Sequence, residues 1–275
     1  MKTSTIKVAL FTAVMTAVSS HAQTSLVGTG SSYNNIFSPP DSVTYDVPGG
    51  GLLSITLSNG TDSKTSGIWD LSAQGGANAS LLGLGLLESA AQTELTGSSL
   101  KFNVSNDNNS LLGLLGVGAS IHYGWDATAT FGTLAYTPFT TYHVSFDVDG
   151  SNGLLGSVAG LSPSFSFELV DGNGNALASN SSGTLINVAG LLGSGVTTGT
   201  VSLDYTVAGS APTGALGIRF TGDATVGATA LGLGTDFATV SNVNITASPV
   251  PEPGSGFLVC ALGAAILLRR RRLHA

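Results

Sequence analysis

Cysteine is nearly absent: Cys260 is the only one in 275 residues, so no intrachain disulfide forms and no cysteine-based metal site exists. Charge is scarce as well, at 9% of residues against roughly 25% in ordinary soluble chains. Cations are the scarcest. Lys2, Lys7, Arg269, Arg270, Arg271 and Arg272 stand near the ends, and between residues 23 and 248 only Lys64, Lys101 and Arg219 face fifteen carboxylates. A phosphate backbone is bound by clustered cations that release its counterions, so nucleic acid is not an expected partner. An acidic surface rich in Ser, Thr and Asn suits a protein that stays soluble outside the cell by charge repulsion, and such a surface could hold divalent cations weakly.

Catalytic signatures are missing too. Residues 23–248 hold two histidines, His122 and His143, and no G-x-S-x-G, H-E-x-x-H or P-loop. Asp147 lies four residues beyond His143, about 13 Å along an extended strand, too far for a hydrogen bond. Both histidines therefore read as surface polar residues, and a serine triad lacks its base and orienter. Glu88, Glu94 and Glu168 are the only glutamates of this region. A glycosidase needs two placed carboxylates, and Glu168, between Phe167 and Leu169 on the polar phase of a strand, is the candidate acid. No partner spacing supports it.

What is present is alternation. In "TYHVSFDVD", Tyr142, Val144, Phe146 and Val148 point one way while Thr141, His143, Ser145, Asp147 and Asp149 point the other, the mark of a half-buried antiparallel strand. The same period recurs in "SFSFELV" (Phe165, Phe167, Leu169), "VSLDYTV" (Val201, Leu203, Tyr205, Val207), "LKFNV" (Leu100, Phe102, Val104) and "LLSITLS" (Leu53, Ile55, Leu57). Around Val240 and Val243 the phase slips by one, which predicts a bulge in the last strand. "DGNGN", residues 171–175, is a tight-hairpin signal. Asp171, Asn173 and Asn175 also alternate as in a calcium loop, but the twelfth position is Ser182 rather than Glu. The hairpin is the favoured reading, no cofactor is expected, and a structural calcium is the lesser alternative.

Leu-Gly segments punctuate the chain: "SLLGLG" from Ser80, "SLLGLLG" from Ser110, "GLLGS" from Gly153, "GLLGSG" from Gly190 and "ALGLG" from Ala230. Either their leucines tuck under the ends of a sandwich, or they form an exposed apolar fringe for self-association. Trp69 with Asp70 and Trp125 with Asp126 pair an aromatic ring with a carboxylate, as a sugar-binding unit does. The competing reading is that each tryptophan belongs to the core. Sequons such as those at Asn103 and Asn244 are common in a chain of this composition.

The ends differ from the body. Residues 1–22 join two lysines, the apolar "VALFTAVMTAV" and a small-residue exit "SSHA", the pattern of a secretory signal peptide cleaved before Gln23. Residues 249–275 run through Pro251, Glu252 and Pro253, thirteen apolar or small residues (256–268) and four arginines. As a helix the apolar run spans roughly 20 Å against a bilayer core of about 30 Å. It is short, but Arg269, Arg270, Arg271 and Arg272 would stay cytoplasmic and snorkel. The prolines resist helix and hold Glu252 in an extended strip.

This order of Pro-Glu-Pro, apolar helix and arginine cluster resembles the PEP-CTERM sorting signal of Gram-negative bacteria that make extracellular polysaccharide. The resemblance covers about the last 25 residues and departs from the pattern in its short apolar run. It implies an exosortase-type membrane peptidase as partner, a transient stay in the inner membrane through the C-terminal helix, and an exported body at the cell surface or outside the cell.

The expectation is thus an all-β chain: a signal peptide (1–22), a single antiparallel β-sandwich of jelly-roll type (23–248) and a sorting signal (249–275). In strand pattern the second half of the body is similar in style to carbohydrate-binding and lectin-like jelly rolls. The function expected is non-enzymatic: an exported surface or matrix protein associated with exopolysaccharide or biofilm. A carbohydrate-binding module is the first alternative and a glycoside hydrolase the second.

Overall fold

A computed structural model of the chain describes residues 23–49, 53–82, 84–106, 120–150, 164–178, 198–227 and 236–250. The signal peptide, the sorting motif at Pro251, Glu252, Pro253 and 269–272, and the Leu-Gly segments from Ser110, Gly153, Gly190 and Ala230 lie outside the described residues. Thirteen strands and no helix occur among the residues described. They are β1 (Thr24–Val27), β2 (Asp41–Thr44), β3 (Leu53–Ser66), β4 (Trp69–Leu81), β5 (Leu84–Leu95), β6 (Ser99–Asn106) and β7 (Ser120–Ala135), followed by β8 (Thr140–Asp149), β9 (Ser164–Val170), β10 (Ala176–Ala178), β11 (Thr198–Val207), β12 (Ala215–Gly227) and β13 (Asp236–Pro249).

The expected two sheets are joined into one. A single antiparallel path runs β10-β9-β12-β7-β4-β5-β6-β13-β8-β11, with β1, β2 and β3 attached to β13, β5 and β4. On that path β9 and β8 are seven steps apart, about 34 Å if the sheet were flat at roughly 4.8 Å per strand. Yet the rings of Phe167 on β9 and Phe146 on β8 lie 4.7 Å apart, and Phe146 meets Phe220 of β12 at 5.1 Å. The sheet therefore curls until its two ends face each other, forming a near-barrel around one core.

Two residues with positive φ mark where strands change partner. β4 pairs with β7 over Trp69 to Gln74 and with β5 over Gly76 to Leu81. Between them Gly75 has φ +87°, and a Cβ there would stand 1.9 Å from the His122 carbonyl oxygen; only glycine fits. On β13 the pairing with β8 shifts register between Ser241 and Asn244, with Asn242 at φ 53°. This is the bulge that the slipped phase predicts, and Asn tolerates its left-handed backbone.

Burial follows the period-two pattern closely. Tyr142, Val144, Phe146 and Val148 are buried, as are Phe165, Phe167, Leu169, Leu100, Phe102 and Val104. Leu57 departs from it, at 46% exposed. Its strand β3 pairs only with β4 among the described residues, so no neighbouring strand flanks it on the other side. Aromatic rings fill the interior as a linked series, from Phe37 through Trp69, Phe220, Phe165 and Phe102 to Trp125 and Phe237. Pairs of this kind add about 0.5–1.5 kcal/mol each beyond area burial.

Candidate functional site

With apolar side chains turned inward, the other phase of β9, β12, β7 and β4 presents polar groups in register. Ser166, Thr221, Asp126 and Ser72 form one row across the four strands. Ser164, Asp223, Gly124 and Gln74 form the next, and Glu168, Arg219, Thr128 and Asp70 the row on the other side. Rows two residues apart lie about 7 Å from one another, and neighbours within a row about 5 Å. Across the first two rows lies a cleft of about 500 Å³ lined by Ser72, Gln74, Asp126, Ser164, Thr221 and Asp223, with Thr61, Gly124, Trp125 and Gly222. Gly124 keeps it open, because a Cβ there would stand 3.0 Å from the side-chain oxygen of Gln74.

The electrostatics of the cleft turn on Asp126. Burial pushes its carboxyl above the usual carboxylate range, Arg219 pulls it back, and Glu168 and Asp70 push it up further. Its one hydrogen bond among the described residues comes from the Thr128 hydroxyl, at 3.3 Å. Most of its accepting capacity therefore faces the cleft. Asp223 accepts from His122 at 3.1 Å. Glu168 is engaged by the Arg219 guanidinium, whose Nη1 also reaches the Gly174 carbonyl at 3.4 Å. Ser166 and Thr221 share a hydroxyl–hydroxyl hydrogen bond.

The structure separates the residues expected to bind sugar. Trp69 is 1% exposed, donates its indole N–H to the Ile36 carbonyl at 2.5 Å, and lies between Phe37 and Phe220. Trp125 is 3% exposed, donates to the Asn103 carbonyl at 2.9 Å and stacks on Phe237 at 4.6 Å. Stacking on a pyranose needs an open ring face, and these rings spend theirs on the core; both stand on the inward phase of their strands. Asp70 is exposed and accepts from the Thr65 hydroxyl at 2.6 Å, outside the cleft lining. Asp126 is thus the carboxylate of the four that the cleft takes in, with Trp125 beneath it.

Other sequence candidates are placed elsewhere. His143 meets Asp204 across β8 and β11 at 2.5 Å on an exposed face; its partner is a cross-strand neighbour, not Asp147. Residues 171–175 make the hairpin between β9 and β10: Asp171 accepts backbone N–H groups from Asn173 and Asn175 at 2.9 Å and the Asn175 amide at 3.0 Å. Its carboxylate is committed to the turn, and those donors hold it below its ordinary range. No group of three His, Cys, Asp or Glu side chains placed to hold a metal ion occurs among the described residues. Of the Leu-Gly segments, the first leaves Leu82 exposed at a turn with φ 55°.

No family model matches this chain, and no curated protein matches it. Among solved structures, a cyclase from Fischerella sp. TAU aligns with 84% of this chain and 100% of its own, at 14% identity and a TM-score of 0.35. The enzymatically active domain of tailspike protein 4 from bacteriophage CBA120 aligns with 80% of this chain and 21% of its own, at 14% identity and a TM-score of 0.29. A family 11 carbohydrate-binding module from Clostridium thermocellum, solved with a β-1,3-1,4-mixed-linked tetrasaccharide, aligns with 85% and 100%, at 10% identity and a TM-score of 0.26. Likenesses at these scores assign no role to this chain.

Proposed function

We propose that this chain is an exported, non-enzymatic surface or matrix protein whose β-body adheres to extracellular polysaccharide through the cleft across β9, β12, β7 and β4. The observation that carries the binding role is the set of hydroxyl, amide and carboxylate groups, from Ser72, Gln74, Asp126, Ser164, Thr221 and Asp223, that converge on one cleft of about 500 Å³. Sugars are recognised by such cooperative donors and acceptors, and the volume falls within the range of about 300–1,000 Å³ usual for ligand sites. A glycan array with the full chain tests it. Asp126→Asn replaces a charged acceptor, whose hydrogen bond is worth roughly 1.5–3 kcal/mol, so affinity is expected to fall tenfold or more. An inert array would sink the binding role.

Export and sorting rest on the two end segments. Mass spectrometry of envelope and culture-supernatant fractions is expected to find a mature chain that starts at Gln23 and ends within 249–253. Persistence of the peptide with Cys260 and the arginines would make the tail a plain anchor and remove the exosortase from the account.

A further inference from the structure

A second cavity, of about 450 Å³, lies where β1 and the chain that follows it meet the bulge of β13. Its lining contrasts with the cleft: among its thirteen residues none is charged, and four are asparagines, Asn34, Asn35, Asn242 and Asn244. The amides of Asn34, Asn35 and Asn244 make no hydrogen bond to another described residue. Asn242 donates its Nδ2 to Asp147 at 2.7 Å, which leaves its own oxygen free. Beside these amides lie apolar side chains, Ile36, Phe37 and Val243, each 5% exposed.

The frame around the amides is fixed without using them. Gly28 and Tyr33 are tied by a backbone hydrogen bond of 3.0 Å, and the Ser31 hydroxyl donates to the Gly28 carbonyl while accepting from the Tyr33 N–H. The Tyr33 hydroxyl meets Thr133 at 2.9 Å, and the Trp69 indole holds the Ile36 carbonyl. Gly28, at φ +101°, brings the loop so close to β13 that a Cβ would stand 3.0 Å from the Asn244 side-chain oxygen. An amide both donates and accepts, as a sugar hydroxyl does, while Ile36, Phe37 and Val243, packed in the core, close the floor of the cavity. With neither cation nor carboxylate, the lining offers no ion pair to a phosphate, a uronate or an amine.

We infer that this cavity is a second carbohydrate site, specific for an uncharged pyranose and independent of the acidic cleft. The test uses the full chain and saturation-transfer NMR with methyl glycosides of glucose, galactose, mannose and N-acetylglucosamine, and with glucuronate and glucosamine as charged comparators. At least one neutral glycoside is expected to bind. Its affinity should fall about fivefold or more in each of Asn35→Ala and Asn244→Ala, the loss of about one hydrogen bond apiece. Asn35→Gln keeps the amide but moves it by one methylene, and is expected to weaken binding while circular dichroism stays native, which separates site loss from unfolding. Three results would overturn the inference: no neutral glycoside binds, the asparagine variants bind like the parent, or a charged comparator binds as well. A glycoside lost in Asp126→Asn and kept in the asparagine variants would place the ligand in the cleft, removing this site while leaving the proposed function intact.

Discussion

Replacing Trp125 tests the burial that decides how the cleft works. The ring is packed against Phe237, Phe102 and Tyr123, and its N–H is held by Asn103. Trp125→Ala removes this side chain from a close-packed core, about 3–5 kcal/mol, and strands the Asn103 carbonyl, about 1 kcal/mol more. The total, about 4–6 kcal/mol, rivals the whole stability of a typical domain, roughly 5–15 kcal/mol. The alanine variant is therefore expected to be partly unfolded, and lost glycan binding in it says nothing about contact. Trp125→Phe keeps the stacking and removes only the N–H and part of the volume, with an expected cost of about 1–3 kcal/mol. Urea unfolding followed by far-UV circular dichroism reads this as a lowered midpoint at unchanged slope. Below the transition, glycan affinity of Trp125→Phe is expected to match the parent within about twofold. If Trp125→Ala kept the parental midpoint while losing the glycan, the ring would belong to the ligand and the burial argument would fail.

Gly75→Ala would set a Cβ 1.9 Å from the His122 carbonyl oxygen at a φ of +87°, so a loss of about 3 kcal/mol or more is expected in urea; a parental midpoint would mean that β4 does not change partner there. Asp126 carries a carboxyl raised by burial, so the folded state binds its proton more tightly than the unfolded chain does, and stability should fall as pH rises from the unfolded value through the folded one. Asp126→Asn removes that fall, giving a variant equal to the parent in acid and more stable at neutral pH by thermal melts, while it binds glycan less well; parallel pH profiles would refute the sign. Glu168→Gln weakens the pair with Arg219, whose side chains are 26% and 30% exposed, and should cost about 1 kcal/mol after solvent screening. Reducing-sugar release is expected from neither parent nor variant, and release by the parent that vanishes in Glu168→Gln would make the chain a glycosidase.

Most strands were legible because burial on one face writes itself as alternation. β8 shows this best, since every second residue from Thr140 to Val148 is buried. Even the β13 bulge is written in the slipped phase at Val240 and Val243. What alternation does not carry is which strand lies beside which. The period of β3 is clear, yet Leu57 is exposed because β3 pairs with β4 alone among the described residues, and pairing is a property of the whole path. The continuous sheet was illegible for the same reason: two sheets and one curled sheet impose the same period on each strand.

The cleft is a sharper case of that limit. Asp126 was visible as a carboxylate beside a tryptophan, but the tryptophan drew attention to the wrong face. Adjacent residues of a strand point to opposite sides, so an aromatic that packs in the core sends its neighbour outward, and Trp-Asp in a strand reads better as core plus site than as a joint platform. The groups that accompany Asp126 in the cleft are its cross-strand neighbours Ser72 and Thr221, with Ser164 of β9 in the next row. In sequence they look like ordinary outward-facing residues of four separate strands. Their common location follows from β12 entering between β7 and β9, a long-range choice that no local pattern records. Once the strand order is known, register aligns the hydroxyl, carboxylate and amide groups of the polar phase across the sheet, and the cleft takes in two of the three rows so formed.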